Sequence, residues 1–157
     1  MTKVIINYEK SRDYKLIAKD DLIDGMKKKD FEKLLRAITR FLMKKNNCNE
    51  TEVNIVFCDN EYIKQLNSRY RDKNEPTDVL SFSFDDREFL GEVYLSLEYI
   101  AEHDKMIGKD YVQEIGFLLI HGLLHLLGYT HYDEENSIKM KDQEQYYYKE
   151  FERLYNA

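Results

Sequence analysis

The longest stretch of this chain without Asp, Glu, Lys or Arg runs from Ile115 to Tyr132, and no other feature limits the fold as much. It is too long and too evenly apolar for a strand. Asp110 upstream suits an N-cap and Gly128 suits a stop, so a helix is expected from Tyr111 to Leu127. Its second half is apolar all round, which is how a helix buried on every side reads. Its histidines make it a poor membrane span. With 157 residues the chain fits one domain, residues 1–157, built around that buried helix.

The rest of the pattern is α+β. Val4–Tyr8 reads as a first strand. Asp30 is a candidate N-cap for a helix through Lys45, whose Phe31, Leu34, Leu35, Ile38, Phe41 and Leu42 recur at three- and four-residue steps. Val53, Ile55 and Phe57 alternate in a strand over Thr51–Asp59. Asp59 can cap a helix from Asn60 to about Arg71, with Tyr62, Ile63, Leu66 and Tyr70 inward. Pro76 closes that region. Val79–Phe84 and Glu92–Leu97 read as strands joined over Asp85–Glu88. Ser96 or Glu98 opens a helix toward Ile107, ended by Gly108. A last amphipathic helix covers about Glu134–Tyr155, with Ile138, Met140, Tyr147, Phe151 and Leu154 inward. The order predicts a small mixed four-stranded sheet with about five helices, lying over one face with the buried helix behind.

Composition narrows the function. Apolar residues make up 43% and aromatics 13%, which excludes intrinsic disorder. Cys48 and Cys58 are too few for a disulfide framework or a Cys-only zinc site, and are expected to be ordinary free thiols in a reducing compartment. The opening MTKVIINYEK holds no apolar core for a signal peptide, so a cytoplasmic protein without a membrane partner is expected. The net charge of −6 is uneven: residues 1–50 carry 13 Lys and Arg against 8 Asp and Glu, and the remainder 11 against 22. Such a balance opposes tight, non-specific grip on nucleic acid.

Three of the four histidines lie in HGLLHLLGYTH. His121 and His125, four apart, stack on one face of the buried helix. Gly128 lets the chain leave the helix sharply, and His131 follows where a returning loop completes a triangle. Three imidazoles around one point with a fourth position open form a catalytic zinc arrangement. Burying them in an apolar region is costly unless a metal pairs with them. Zinc endopeptidases use this spacing as HExxHxxGxxH, but here Gly122 stands where their general-base Glu would be, which weakens a peptidase reading.

A second segment, Leu66 to Phe82, reads LNSRYRDKNEPTDVLSF. Arg69, Arg71 and Lys73 sit at a helix end, and an Arg there can grip a phosphate bidentately. A basic residue at a helix C-terminus also favours the helix dipole and needs no ligand.

Taken together, LNSRYRDKNEPTDVLSF, GEVYLS and HGLLHLLGYTH resemble the YbeY family of bacterial rRNA maturation endoribonucleases, in order and spacing, over roughly Leu66 to Glu144. The resemblance implies a single-strand-specific, zinc-dependent endoribonuclease, a metal-dependent hydrolase of one domain. It would act in 16S rRNA 3′-end maturation and late ribosome quality control, on single-stranded rRNA and the ribosome or its subunit. It implies one Zn2+ on His121, His125 and His131, and a functional Arg at Arg71. Two positions depart from the family pattern: Thr130 stands where Asp usually precedes the third His, and Gly91-Glu92 stands for Gly-Asp. Asp133 or Glu134 can substitute as an outer carboxylate, although acids that start a helix need no such role. Met140 and Glu144 fit the family's tail.

The expected mechanism is metal-assisted phosphodiester cleavage, with Arg71 holding the scissile phosphate and the strand Val93–Leu97 lining the groove. No side chain stands out as general base, and the RNA 2′-hydroxyl is an alternative nucleophile. Two other readings share the triad: a zinc-dependent peptidase-like hydrolase, and a non-catalytic ribosome assembly factor whose zinc is structural.

Overall fold

In the computed structural model, residues 1–9, 22–23, 25–84, 86–103 and 109–157 are described. Among them the chain runs β1 (Lys3–Tyr8), β2 (Leu22–Ile23), β3 (Met26–Lys27), α1 (Lys28–Lys45), β4 (Glu52–Cys58), α2 (Asn60–Arg71), β5 (Val79–Ser83), β6 (Phe89–Ser96), α3 (Leu97–Glu102), α4 (Tyr111–Leu126) and α5 (Glu134–Tyr155). The main sheet has the order β1-β4-β6-β5. The β1–β4 and β4–β6 pairs are parallel and β5–β6 is antiparallel, so the sheet is mixed and the class is α+β.

Strand alternation assigns the two faces. Val53, Ile55, Phe57, Val93 and Leu95 are fully buried toward α1, α4 and α5. The intervening residues of β5 and β6 meet α2 instead: Tyr94 stacks on Tyr62 and Phe82 meets Tyr70 edge-on. Helices therefore cover both faces of the sheet. Strand β4 is central and buried on both faces, which explains why Val56 and Cys58 are also hidden. Burial pushes the Cys58 thiol above its ordinary value, with the adjacent Asp59 charge adding, and Cys48 rises by burial too. Both cysteines are free thiols and neither touches the histidine cluster.

Several local expectations shift. Helix α1 begins at Lys28, with Lys27 as an N-cap that makes no side-chain capping bond, and Asp30 lies in the first turn. The reason is the short antiparallel ribbon of β2 and β3, which delivers the chain into α1 through Gly25 at φ 84°. The dipeptide Asp24-Gly25 was its signal in the sequence. Lys28 then lies over the Tyr8 ring, 4.4 Å from its centroid.

Tyr70 is 56% exposed rather than inward, although one side of its ring meets Phe82 of β5; Asn67 is the buried residue toward that end of α2 and donates to the Glu75 carbonyl. Ile138 is 53% exposed. It precedes buried Met140 by two residues, or about 200° of helix rotation, which turns it away from the stripe of Met140, Glu144, Tyr147, Tyr148 and Phe151. Of the tyrosine triplet, Tyr146 is the exposed one and stacks on Phe41. Strand β6 starts earlier than expected, and Leu97 belongs to α3, which Ser96 caps. Asp85, Ile107 and Gly108 lie outside the described residues.

Candidate active site

Helix α4 is aimed before it is packed. Asp110 accepts from the Gln113 backbone while the Gln113 side chain accepts from the Asp110 N–H, a reciprocal capping box. At the other end the Gly128 N–H donates to the His125 carbonyl and the Tyr129 N–H to the Leu124 carbonyl, with Gly128 at φ 96°. That is a Schellman turn, which reverses the chain and brings the loop back over the helix. Gly122 sets how near α4 lies to the sheet. A Cβ there would fall 2.7 Å from Val93 Cγ1 and 3.0 Å from Ser81 Oγ. Ser81 Oγ in turn donates to the Gly122 carbonyl at 3.0 Å. The position that carries Glu in HExxH peptidases is therefore pressed against the sheet, with no room for a carboxylate.

The fold gathers the three expected histidines. One nitrogen from each of His121, His125 and His131 lies within 4.8 Å of the others. The His121 and His125 Nε2 atoms are 3.1 Å apart. His125 Nδ1 lies 3.0 Å from the Tyr129 carbonyl, which only accepts, so that nitrogen carries the proton. His121 Nδ1 lies 3.0 Å from Glu144 Oε2 and donates to it. Both Nε2 lone pairs then face each other, which is repulsive unless an electrophile lies between them. This donor set fits a metal ion, with the His121 and His125 rings oriented from behind. Burial lowers the His125 pKa, helped by the neighbouring His121, and the neutral, ligating form is favoured. Among the described residues these three form the cluster of His, Cys, Asp or Glu able to hold a metal.

Glu144 is the residue whose contact was not foreseen. Its signal was a carboxylate in the apolar stripe of α5, one turn after Met140 and one before Tyr147 and Tyr148. Asp133, an expected outer carboxylate, is the N-cap of α5 and accepts from the Asn136 N–H at 2.8 Å. Glu134 lies in the first turn of that helix. Met140 is core, and His103 is exposed at the end of α3.

Arg71 arrives from the far side of the sheet. It ends α2, and its Nη2 donates to the Ser81 carbonyl of β5 at 2.8 Å, with the guanidinium 5.1 Å from the Phe82 ring centroid. Strand β5 is an edge of the sheet among the described residues, so its outer carbonyls are available and an Arg can reach over it. The result is one cleft of about 540 Å3 shared by Arg71, the edge strand and all three histidines. Thr130 also lines it. The expected groove strand, Val93–Leu97, does not: Val93–Ser96 lie inside the sheet between β4 and β5, and β5 lines the cleft in their place.

The profile of the family described as Endoribonuclease YbeY matches residues 17–152. This chain belongs to the YbeY endoribonuclease family. The protein named Endoribonuclease YbeY of Carboxydothermus hydrogenoformans is 49% identical over 96 residues, covering 59% of this chain and 67% of its own. That of Bacillus cereus is 34% identical over 136 residues, or 76% of this chain and 87% of its own. The solution structure of TM1509 from Thermotoga maritima superposes with a TM-score of 0.62 at 25% identity, covering 98% of this chain and 91% of that one. The YbeY-family match thus spans both segments that form the cleft, Arg71 to Ser83 and His121 to Tyr132. No helix among the described residues is long and apolar enough to cross a membrane.

Proposed function

We propose that this protein is a single-strand-specific, zinc-dependent endoribonuclease of the cytoplasm, acting in 16S rRNA 3′-end maturation and late ribosome quality control. Its partners in this reading are single-stranded rRNA and the ribosome or its subunit. One observation carries the reading: a guanidinium and three clustered imidazoles share a single open cleft in a YbeY-family chain.

His121, His125 and His131 would hold one zinc ion, which when bound supplies Lewis acidity toward a phosphate oxygen and a water of lowered pKa. The Tyr129 carbonyl and Glu144 fix the tautomers that turn two lone pairs inward. Arg71 spends one N–H on the Ser81 carbonyl, which braces it, and keeps its other donors for the scissile phosphate and the charge that develops there. The acidic balance of residues 51–157 gives the protein little general hold on RNA, so positioning by the ribosome accompanies this reading.

The test compares wild type, Arg71→Ala and His125→Ala on single-stranded rRNA, duplex RNA and an unstructured peptide. Internal cleavage of single strands, lost on zinc chelation, is expected from the wild type. Arg71→Ala should keep its zinc and lose roughly 100- to 1000-fold in turnover, and His125→Ala should stay folded and inactive. Proteolysis without RNA cleavage overturns the reading. Unfolding of His125→Ala, with no cleavage by the wild type, turns it into a structural zinc site.

A further inference from the structure

Tyr132 is 89% exposed, yet it lines the same cleft as Arg71 and the histidines. Its ring centroid lies 5.8 Å from that of His131, at 37°. The residue before an N-cap often packs on the fourth helical residue as an apolar staple. Here Asp133 is the N-cap and that fourth residue is Ser137, so the staple is missing and the ring stands in water. At the rim of the cleft, an aromatic ring this exposed has a face on which a nucleobase can stack.

The two banks of the cleft differ in charge. One bank is the edge strand β5 with Arg71, which suits phosphate. The other is the loop Gly128–Tyr132, which brings His131 to the metal-holding cluster but carries no Lys or Arg, and beyond His131 it presents the Tyr132 ring. A strand whose scissile phosphate sits between Arg71 and the histidines would have its neighbouring base within reach of that ring. Resting on the endoribonuclease reading above, we propose that Tyr132 is a positioning residue: a stacking platform for the nucleobase next to the scissile phosphate. Stacking tolerates any base, because each has a π-face, so it would orient the strand without demanding a sequence.

The experiment uses zinc-loaded wild type, Tyr132→Ala and Tyr132→Phe with short single-stranded RNAs, intact or abasic on either side of the cleaved bond. Tyr132→Phe should behave as wild type. Tyr132→Ala should lose roughly 5- to 150-fold in kcat/KM, mostly through KM. Wild type should lose a similar factor on RNA abasic at one flanking position, and Tyr132→Ala should lose nothing more there. Independently of turnover, metal-free wild type should quench a 2-aminopurine placed at that position and Tyr132→Ala should not. The proposal is overturned if Tyr132→Ala cleaves like wild type, if the two losses simply add, or if zinc affinity falls by the same factor as activity, which would make Tyr132 a prop for His131. A wild type that cleaves no RNA overturns the endoribonuclease reading and this assignment with it.

Discussion

Glu144→Ala is expected to weaken zinc binding by roughly 10- to 100-fold while the domain stays folded. Glu144 Oε2 lies 3.0 Å from His121 Nδ1. The Glu144 side chain is only 10% exposed and the His121 side chain 27%, so water screens the pair poorly and the discount that applies to surface pairs does not. The carboxylate has two effects on His121: it holds the proton on Nδ1, and it makes Nε2 a better donor to a cation. Losing an outer partner of this kind corresponds to about 1.4–2.7 kcal/mol of binding free energy. Glu144→Gln keeps an acceptor oxygen for Nδ1–H but gives up the negative charge, so it should fall between wild type and Ala. Asp133→Asn serves as the control, because Asp133 caps α5 and makes no contact with a histidine nitrogen in the cluster. The assay is competition for zinc against a chromophoric chelator at neutral pH, with circular dichroism and a melt of the metal-free protein to confirm folding. Wild-type zinc affinity in Glu144→Ala, or an equal loss in Asp133→Asn, would show that the Glu144 carboxylate does not tune His121.

Two further outcomes follow from the packing and from the buried imidazole. Gly122→Ala puts a Cβ 2.7 Å from Val93 Cγ1 and 3.0 Å from Ser81 Oγ, so α4 must shift from the sheet. Overpacking of this kind costs about 1–3 kcal/mol and should lower Tm by roughly 2–12 °C; an unchanged Tm would mean that the helix-to-sheet approach is slack. Burial holds the His125 pKa below its ordinary 6.5, so below that pH the unfolded chain binds more protons than the folded one. Its contribution to stability is fully present above 6.5 and is lost as pH falls through the lower, folded value. The melting temperature of metal-free wild type should therefore drop on acidification below pH 6.5 more steeply than that of His125→Asn, and parallel curves for the two proteins would contradict the assignment.

What was legible in the sequence was legible because it is local. The spacing of His121 and His125, the stop at Gly128 and the caps at Asp59 and Asp110 depend on contacts within a few residues, which helical periodicity encodes directly. The same holds for the alternation of Val53, Ile55 and Phe57. Spacing alone put His131 on a returning loop, and the resemblance singled out Arg71 without its geometry. Errors fell where a residue's fate depends on a distant element. Tyr70 and Ile138 fit their helical patterns, yet one meets only Phe82 of an outer strand and stays more than half exposed, and the other lies off the stripe that meets the core. The ribbon that starts α1 hung on a single Asp-Gly pair.

By itself, then, the sequence determined a buried helix with two imidazoles on one face and a sharp turn behind it, since a helix of this composition and period has no other way to hide its apolar surface. Tertiary structure alone decided that β5 is an edge strand among the described residues, so that Arg71 reaches the Ser81 carbonyl, and that Glu144, 23 residues beyond His121, closes on its ring. Those contacts join segments that chain neighbours cannot bring together. They exist because the sheet order and the packing of α5 on α4 place a donor and an acceptor 3 Å apart, a fact that no period in the sequence contains.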